Sequence, residues 1–241
     1  MSDITLIDAH CHIAEYEPEE IKSFGKIRIA GVAMDFESSE KTLILADKFK
    51  NIDPFVGVHP WNLRQGPVRL KEIRELIADR HPVGLGEVGV DVRFARAPLK
   101  EQLEIFEEMC RVAVEFNLPL NVHALGGWDS VIKTSKRLGV RAVLFHWYTG
   151  PVELLREIKD SDYFISINPA VRIQPRHMQV LRSADSEILL TESDGPYNYR
   201  GLSLSPRNLP SLIEVIAESK NLRPEEVVRI VYENYLRFLG A

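Results

Sequence analysis

His10 and His12 are separated by one residue in Asp8-Ala9-His10-Cys11-His12. Side chains alternate along a strand, so Asp8, His10 and His12 share one face while Ala9 and Cys11 point the other way. Two imidazoles one strand period apart can chelate a divalent cation. A metal-free, hydrogen-bonded pair is the alternative, and the pair alone does not choose. Further donors occur at Glu87, His123, His146 and Asp194. If these converge with His10 and His12, metal ligation is the expected chemistry. Structural zinc sites favour thiolates and closed coordination, so a purely structural role is not expected. Four histidines and two carboxylates exceed what one tetrahedral ion needs. The surplus points to two divalent ions sharing a carboxylate, with Glu87 the better candidate. Ions about 3.5–4 Å apart stabilise the entering and leaving oxygens of a displacement. Asp194 is placed to take a proton from the attacking water or to orient it, which makes Glu87 and Asp194 the candidate catalytic residues. Nitrogen and oxygen ligands admit zinc, manganese, iron or nickel, and magnesium at lower affinity.

Donors more than a hundred positions apart meet only if the fold gathers strand ends. Short β-branched runs start near Ile4, Ile27, Pro54, Val83, Leu120, Ala142, Phe164 and Glu187. Helical patterns lie between them, at 38–50, 70–80, 98–117, 129–138, 152–159, 176–184 and 209–219, with a last one at 224–239. In 98–117 a proline opens the first turn, and Leu99, Leu103, Phe106, Cys110, Ala113 and Val114 form the apolar stripe. In 224–239 Val227, Val231, Tyr235 and Phe238 do so. Alternating βα units imply a parallel sheet with helices outside, and eight of them suit closure into a (β/α)8 TIM barrel over residues 1–241 as a single domain. An open doubly wound sheet is the rival, but the first turn lacks its glycine-rich loop. In the barrel His10, His12, His59, His123, His146, Glu87 and Asp194 all fall at C-terminal strand ends, the rim where active sites occur.

His59 lies on that rim, yet the ligand set is complete without it, so it is expected behind the ligands or against substrate. His81 belongs to the opposite rim and reads as surface. His177, at a helix start, reads as solvated. Cys11 reads as a small apolar residue packing toward the helices.

The 241 residues are 45% hydrophobic and 27% charged, which excludes bulk disorder. No run approaches the roughly 18 apolar residues of a spanning helix, so no membrane association is expected. The start lacks a basic segment followed by a long apolar one, so no secretory signal is expected. Two cysteines cannot build a disulfide framework, and a reducing cytoplasm is the expected location. A net charge of −5 argues against a general phosphate-backbone binder, though not against a nuclease with a locally positive site. No obligate protein partner is evident.

At these residues the sequence resembles the TatD family of metal-dependent hydrolases, relatives of the amidohydrolase barrels. The matches are DAHCHI at 8–13, GVHP at 57–60, GEVGVD at 86–91, VH at 122–123, HWYTG at 146–150 and ESDGPY at 192–197. RNLP at 207–210 and the closing NYLRFLG, with Asn234 and Phe238, complete them in the family's order across the chain. The resemblance implies a barrel with two divalent ions, one held by His10, His12, Glu87 and Asp194, the other by Glu87, His123 and His146. It also implies ester hydrolysis, most often as a deoxyribonuclease trimming DNA from an end; some relatives are described as deacylases of mischarged transfer RNA. Many members carry an arginine shortly after the histidine matched by His123, where this chain has Ala124-Leu125-Gly126-Gly127. The first motif continues Ile13-Ala14 rather than Leu-Asp, and HWYTG replaces HxFSG or HxFTG.

Arg64, Arg93, Arg96, Arg172, Arg176, Arg200 and Arg207 occupy the loops after the third, fourth, seventh and eighth strands, with no lysine among them. Arginine's planar fork suits phosphate and carboxylate oxygens, and ordinary solvated arginines are the alternative. His59, Arg172, Arg200 and Arg207 are the candidate substrate contacts. Trp61, Trp128, Trp147, Tyr148 and Tyr197 near the rim could stack on nucleobases or merely pack the mouth. The expected function is therefore a two-metal phosphodiesterase or deoxyribonuclease acting on a nucleic-acid end or a small phosphorylated substrate. The alternative is a metal-dependent deacylase or amidohydrolase acting on a carboxylic ester or amide such as an aminoacyl ester. A non-catalytic nucleic-acid-binding barrel would not need all six ligands.

Overall fold

In the computed structural model, which describes residues 5–66 and 68–241, eight parallel strands follow one another in chain order around a single sheet. They are β1 (Ile7–Cys11), β2 (Arg28–Val32), β3 (Ile52–Val56), β4 (Gly84–Asp91), β5 (Leu120–Leu125), β6 (Val143–Phe145), β7 (Phe164–Ile167) and β8 (Leu189–Thr191). Ile4, where the first apolar run begins, lies outside the described residues. The register carries each strand one step round the barrel, as in Ile29↔Ile52, Phe55↔Gly84, Val122↔Phe145 and Ile165↔Leu189. β8 returns to β1 without a regular ladder. The seam is closed instead by Thr191 Oγ1 donating to the Ile7 carbonyl at 2.6 Å, Asp194 N–H to the His10 carbonyl at 3.0 Å and His12 N–H to the Gly195 carbonyl at 2.9 Å.

The helices are α1 (Pro18–Ser23), α2 (Phe36–Lys48), α3 (Leu70–Arg80), α4 (Leu99–Glu115), α5 (Trp128–Leu138), α6 (Leu155–Asp160), α7 (Pro175–Ser183), α8 (Leu209–Lys220) and α9 (Pro224–Leu239). Local chemistry sets their ends. Asp35 caps α2 by accepting Ser38 N–H at 2.8 Å, and Gly139 ends α5 in the left-handed conformation. Buried faces of α2–α9 join strand residues such as Leu85, Val88, Val122 and Phe145 in one core, while Ile21 of α1 packs with Cys11, Ile13 and Phe24 in a smaller second cluster. In α9 the buried residues include Val227, Val231, Tyr235 and Phe238, as the spacing predicts. No helix among the described residues is long and apolar enough to cross a membrane.

Some details differ from the sequence expectations. α1 and a hairpin of β9 (Asn198–Tyr199) and β10 (Leu202–Ser203) carry no apolar period from which to be read. Arg200 and Gly201, both at positive φ, make the hairpin's tip. The pattern at 152–159 splits into a single 3-10 turn and α6. In α4 the ends of the expected stripe, Leu99 and Val114, are exposed, and Gln102 is buried instead because its side chain bonds both the Asp91 N–H and the Asp91 carbonyl.

Candidate metal centre

The candidate ligands converge on one mouth, although Glu87 and His123, expected at strand ends, lie inside β4 and β5, which run on to Asp91 and Leu125. β1 supplies His10, with His12 one residue past its end, β4 supplies Glu87 and β5 supplies His123. His146 follows β6 directly, and Asp194 follows β8 at φ 53°, a left-handed conformation that non-glycine residues adopt mainly where the surroundings enforce it. Gly89 permits the close approach of β4 to β5. Its φ is +133°, and a Cβ there would stand 2.0 Å from the His123 carbonyl oxygen.

Glu87 is central. Its Oε2 lies 3.5 Å from His10 Nε2 and 3.5 Å from His12 Nε2, while its Oε1 lies 2.9 Å from both His123 Nδ1 and His146 Nε2. The two oxygens of one carboxylate thus face two separate histidine pairs. Asp194 Oδ1 stands on the first side, 3.6 Å from His10 Nε2 and 3.5 Å from His12 Nε2. Three groupings are compact enough to hold a cation: His10, Glu87 and His146; His10, His12 and Asp194; and His59, Glu87 and His123. His10 Nε2 is buried with no hydrogen-bond partner. Such an orphan is costly, and a cation among these donors would satisfy it. The residues therefore fit a bound divalent metal.

The electrostatics agree. Burial alone would raise the Glu87 carboxyl, but His59, His146 and His10 hold it well below the carboxylate range. Asp194 is likewise lowered against burial, by its bond to His12 and the charges of His10 and His146. Burial opposes protonation of His146, yet Glu87 and Glu192 raise it to about 10. Against the same burial cost, hydrogen bonds to Asp91 and Glu87 raise His123 to about 9. Anionic carboxylates surrounded by imidazoles are what a cation replaces protons in.

A family model described as TatD related DNase matches residues 7–240. The chain belongs to the TatD family. Over 255 residues it is 31% identical to an uncharacterized metal-dependent hydrolase of Methanocaldococcus jannaschii, covering 99% of this chain and 98% of that one. It is 26% identical to the human deoxyribonuclease TATDN3, covering 97% and 94%. The crystal structure of a TatD homologue from Escherichia coli K12, YJJV, superposes with a TM-score of 0.88 over 98% of each chain at 22% identity, which establishes the shared fold.

In this TatD barrel, buried partners that the sequence reading missed hold the outer nitrogens of two imidazoles, and a buried carboxylate faces that of a third. His10 Nδ1 is 2.8 Å from Asn121 Oδ1, and Asn121 Nδ2 donates to the Ala9 carbonyl at 2.7 Å, so the amide presents its oxygen to His10. His10 Nδ1 therefore carries the hydrogen and Nε2 is free to ligate. His123 Nε2 is 3.1 Å from Asp91 Oδ2, leaving Nδ1 for the centre. Glu192, fully buried, lies 3.7 Å from His146 Nδ1 and accepts hydrogen bonds from Ser166 and Asn168. Such partners fix ring orientation and ligand basicity. Asn121 stands two residues from His123 and Glu192 two from Asp194, while Asp91 stands four, two strand periods, from Glu87. The strand period was the signal that could have found them.

His59 Nδ1 accepts Trp61 N–H at 3.2 Å, so its hydrogen is on Nε2, 3.2 Å from Glu87 Oε1. Burial holds its pKa down to about 4, and it is a neutral donor to the central carboxylate. His81 is exposed at the end of α3, and Cys11 is buried away from the centre, both as expected. His177 differs from expectation: it is fully buried on α7, because the helix turns it inward with Val180 and Leu181.

The mouth above the ligands is a recess of about 450 Å³. It sorts the arginine collar. Arg93 and Arg200 line it and form no ion pair among the described residues. Arg172 and Arg207 do not line it: Arg172 donates to the Ser211 carbonyl and Arg207 to Ser23. Their guanidinium groups are turned to the protein. Arg64 pairs with Glu101, and Arg176 donates to the carbonyls of Thr149 and Gly150. Of the aromatics, Trp61, Trp128, Trp147 and Tyr197 line the recess, whereas Tyr148 is fully buried and bonds the Pro151 carbonyl.

Proposed function

We propose that this chain is a two-metal ester hydrolase, a phosphodiesterase or deoxyribonuclease acting on DNA ends or nucleotides, with residues 1–241 working as one barrel. The observation that carries the reading is the divided Glu87 carboxylate, with one oxygen toward His10 and His12 and the other toward His123 and His146. His10, His12, Glu87 and Asp194 would hold one ion, and Glu87, His123 and His146 the second; zinc, manganese, magnesium and nickel all suit this donor set. When bound, such ions activate water and neutralise charge on a phosphoryl group. The chain's own groups do the rest. Asp194, kept ionised, orients the attacking water and accepts its proton. His59 donates to Glu87 and keeps that carboxylate turned to both histidine pairs. Arg93 and Arg200 supply unneutralised guanidinium groups for the anionic substrate.

A carboxylic ester or amide would meet the same floor, and Ala124 and Leu125 make part of the mouth apolar. The two free arginines favour the phosphate ester. The test is a substrate panel of oligodeoxynucleotides, nucleotides and aminoacyl esters with metal content measured on the same sample. Metal-dependent nucleotide release is the expected result; turnover confined to aminoacyl esters would transfer the assignment to a deacylase. Glu87→Ala should lose bound metal and more than about 100-fold of activity, beyond the 10- to 100-fold typical of an outer partner, while exposed His81→Ala stays near the parent. Equal behaviour of the two would remove Glu87 from the centre.

A further inference from the structure

Two aromatic walls rise above the ligand floor. Trp61, after β3, meets Phe94, after β4, edge to face with ring centroids 6.3 Å apart. Trp147, after β6, meets Tyr199 of β9 in the same manner at 5.0 Å. β3–β4 and β6–β8 are different arcs of the barrel, yet all four rings line the same recess as Glu87, His123 and His146. Both indoles are anchored. Trp61 Nε1 donates to Asp91 Oδ2 at 2.6 Å and Trp147 Nε1 to Gln174 Oε1 at 2.8 Å. Trp147 is held at φ 41°, a strained conformation that keeps its ring at the mouth. Their polar handles are satisfied and their rings remain partly exposed, so little ordering is needed to bind a flat ligand. Each wall also carries an arginine, Arg93 next to Phe94 and Arg200 next to Tyr199.

We propose that this recess is a base-stacking subsite, in which one unpaired nucleobase enters between the Trp61 and Trp147 walls while Arg93 and Arg200 take the flanking phosphate oxygens. The proposal rests on the phosphodiesterase reading and names what that site recognises. Flat π faces alone would suit any apolar group, and guanidinium groups alone any anion. A nucleotide is the ligand that offers a planar ring and an anionic linker a few bonds apart. Every base has a π face, so the subsite tolerates sequence while demanding a base.

The primary test is binding of a short, internally labelled oligodeoxynucleotide, read by fluorescence anisotropy with the protein in chelator so that nothing is hydrolysed. The same oligomer with abasic nucleotides at both ends is the comparison. The expected result is about 5- to 100-fold weaker binding of the abasic form, the range of one stacked base. Trp147→Ala, Tyr199→Ala and Phe94→Ala should each weaken the intact oligomer and leave the abasic one unchanged. Phe94 is 67% exposed, so its variant tests the subsite even where Trp147→Ala misfolds. Equal binding of intact and abasic oligomers, or no binding of either, would overturn the subsite. Hydrolysis by the metal-loaded protein is read separately. Base-dependent binding without diester turnover would support the subsite and refute the phosphodiesterase reading, whereas turnover indifferent to terminal bases would refute the subsite alone.

Discussion

Asp91 Oδ2 lies 3.1 Å from His123 Nε2, and the same oxygen accepts the Trp61 indole N–H at 2.6 Å. The other oxygen accepts the backbone N–H groups of Arg93 and Phe94 at 2.7 and 2.9 Å, so the carboxylate is fixed on both sides. One buried acid thereby orients a candidate ligand and a wall of the recess together. Asp91→Asn should lower metal affinity by about 10- to 100-fold, the range for an outer partner of a ligand histidine. Calorimetric metal titration checks this without recourse to turnover; unchanged affinity would mean that Asp91 serves the loop alone.

Metal uptake should release protons. His123 and His146 are raised to about 9 and about 10, but their facing nitrogens stand 3.1 Å apart beside one Glu87 oxygen, so the metal-free pair holds at least one extra proton near neutral pH. The stability they contribute is fully present below the ordinary histidine pKa and is lost as pH rises through those values. A cation must displace that charge, so about one proton or more should be released per loaded chain near pH 7, and affinity should rise toward pH 9. Calorimetry in buffers of different ionisation enthalpy counts them, and uptake without release would contradict the assignment of these two rings.

His177 acts in the opposite sense. Burial holds its pKa down to about 4, and neither ring nitrogen has a hydrogen bond of normal geometry. The unfolded chain binds a proton there below about pH 6.5 and the folded chain does not, so stability falls from about pH 6.5 to 4 by up to about 3 kcal/mol. His177→Gln should flatten that part of the curve. Denaturant midpoints at neutral and acid pH check it, and parallel curves for parent and variant would locate the acid sensitivity elsewhere.

The arginine collar divides in two. Arg93→Ala and Arg200→Ala should each raise KM for a phosphate-bearing substrate by about 2- to 5-fold, as expected for exposed charges meeting an anion, with a loss that shrinks in salt. Arg172→Ala and Arg207→Ala should leave KM unchanged, because their guanidinium groups bond the Ser211 carbonyl and the Ser23 hydroxyl. Steady-state kinetics on all four separates the pairs; a KM effect at Arg172 equal to that at Arg200 would show that position in the collar, not freedom of the side chain, governs contact.

The barrel and the convergence of six donors were legible because both follow from local rules. Strand runs announce themselves by β-branched residues, and a donor at the end of each run must reach the common rim. What escaped was the chemistry of neighbours. Asp91, Asn121 and Glu192 look like ordinary strand-end polar residues until the rings they face are placed. His177 had a readable signal, since 177, 180, 181 and 184 repeat at helical spacing and all are buried. Its place at the helix start concealed it. Arg172 and Arg207 illustrate the reverse limit: chain position puts a guanidinium near a mouth, but only coordinates show where its donors are already engaged.

The seam between β8 and β1 joins the first strand of the barrel to the last. His10 and His12 come from the first strand, Asp194 from just beyond the last, and α9 packs across both strands. α9 supplies none of the candidate ligands, yet by bracing both strands from outside it helps keep His10 and Asp194 on the same side of Glu87, so packing remote from the mouth bears on the spacing of the donors.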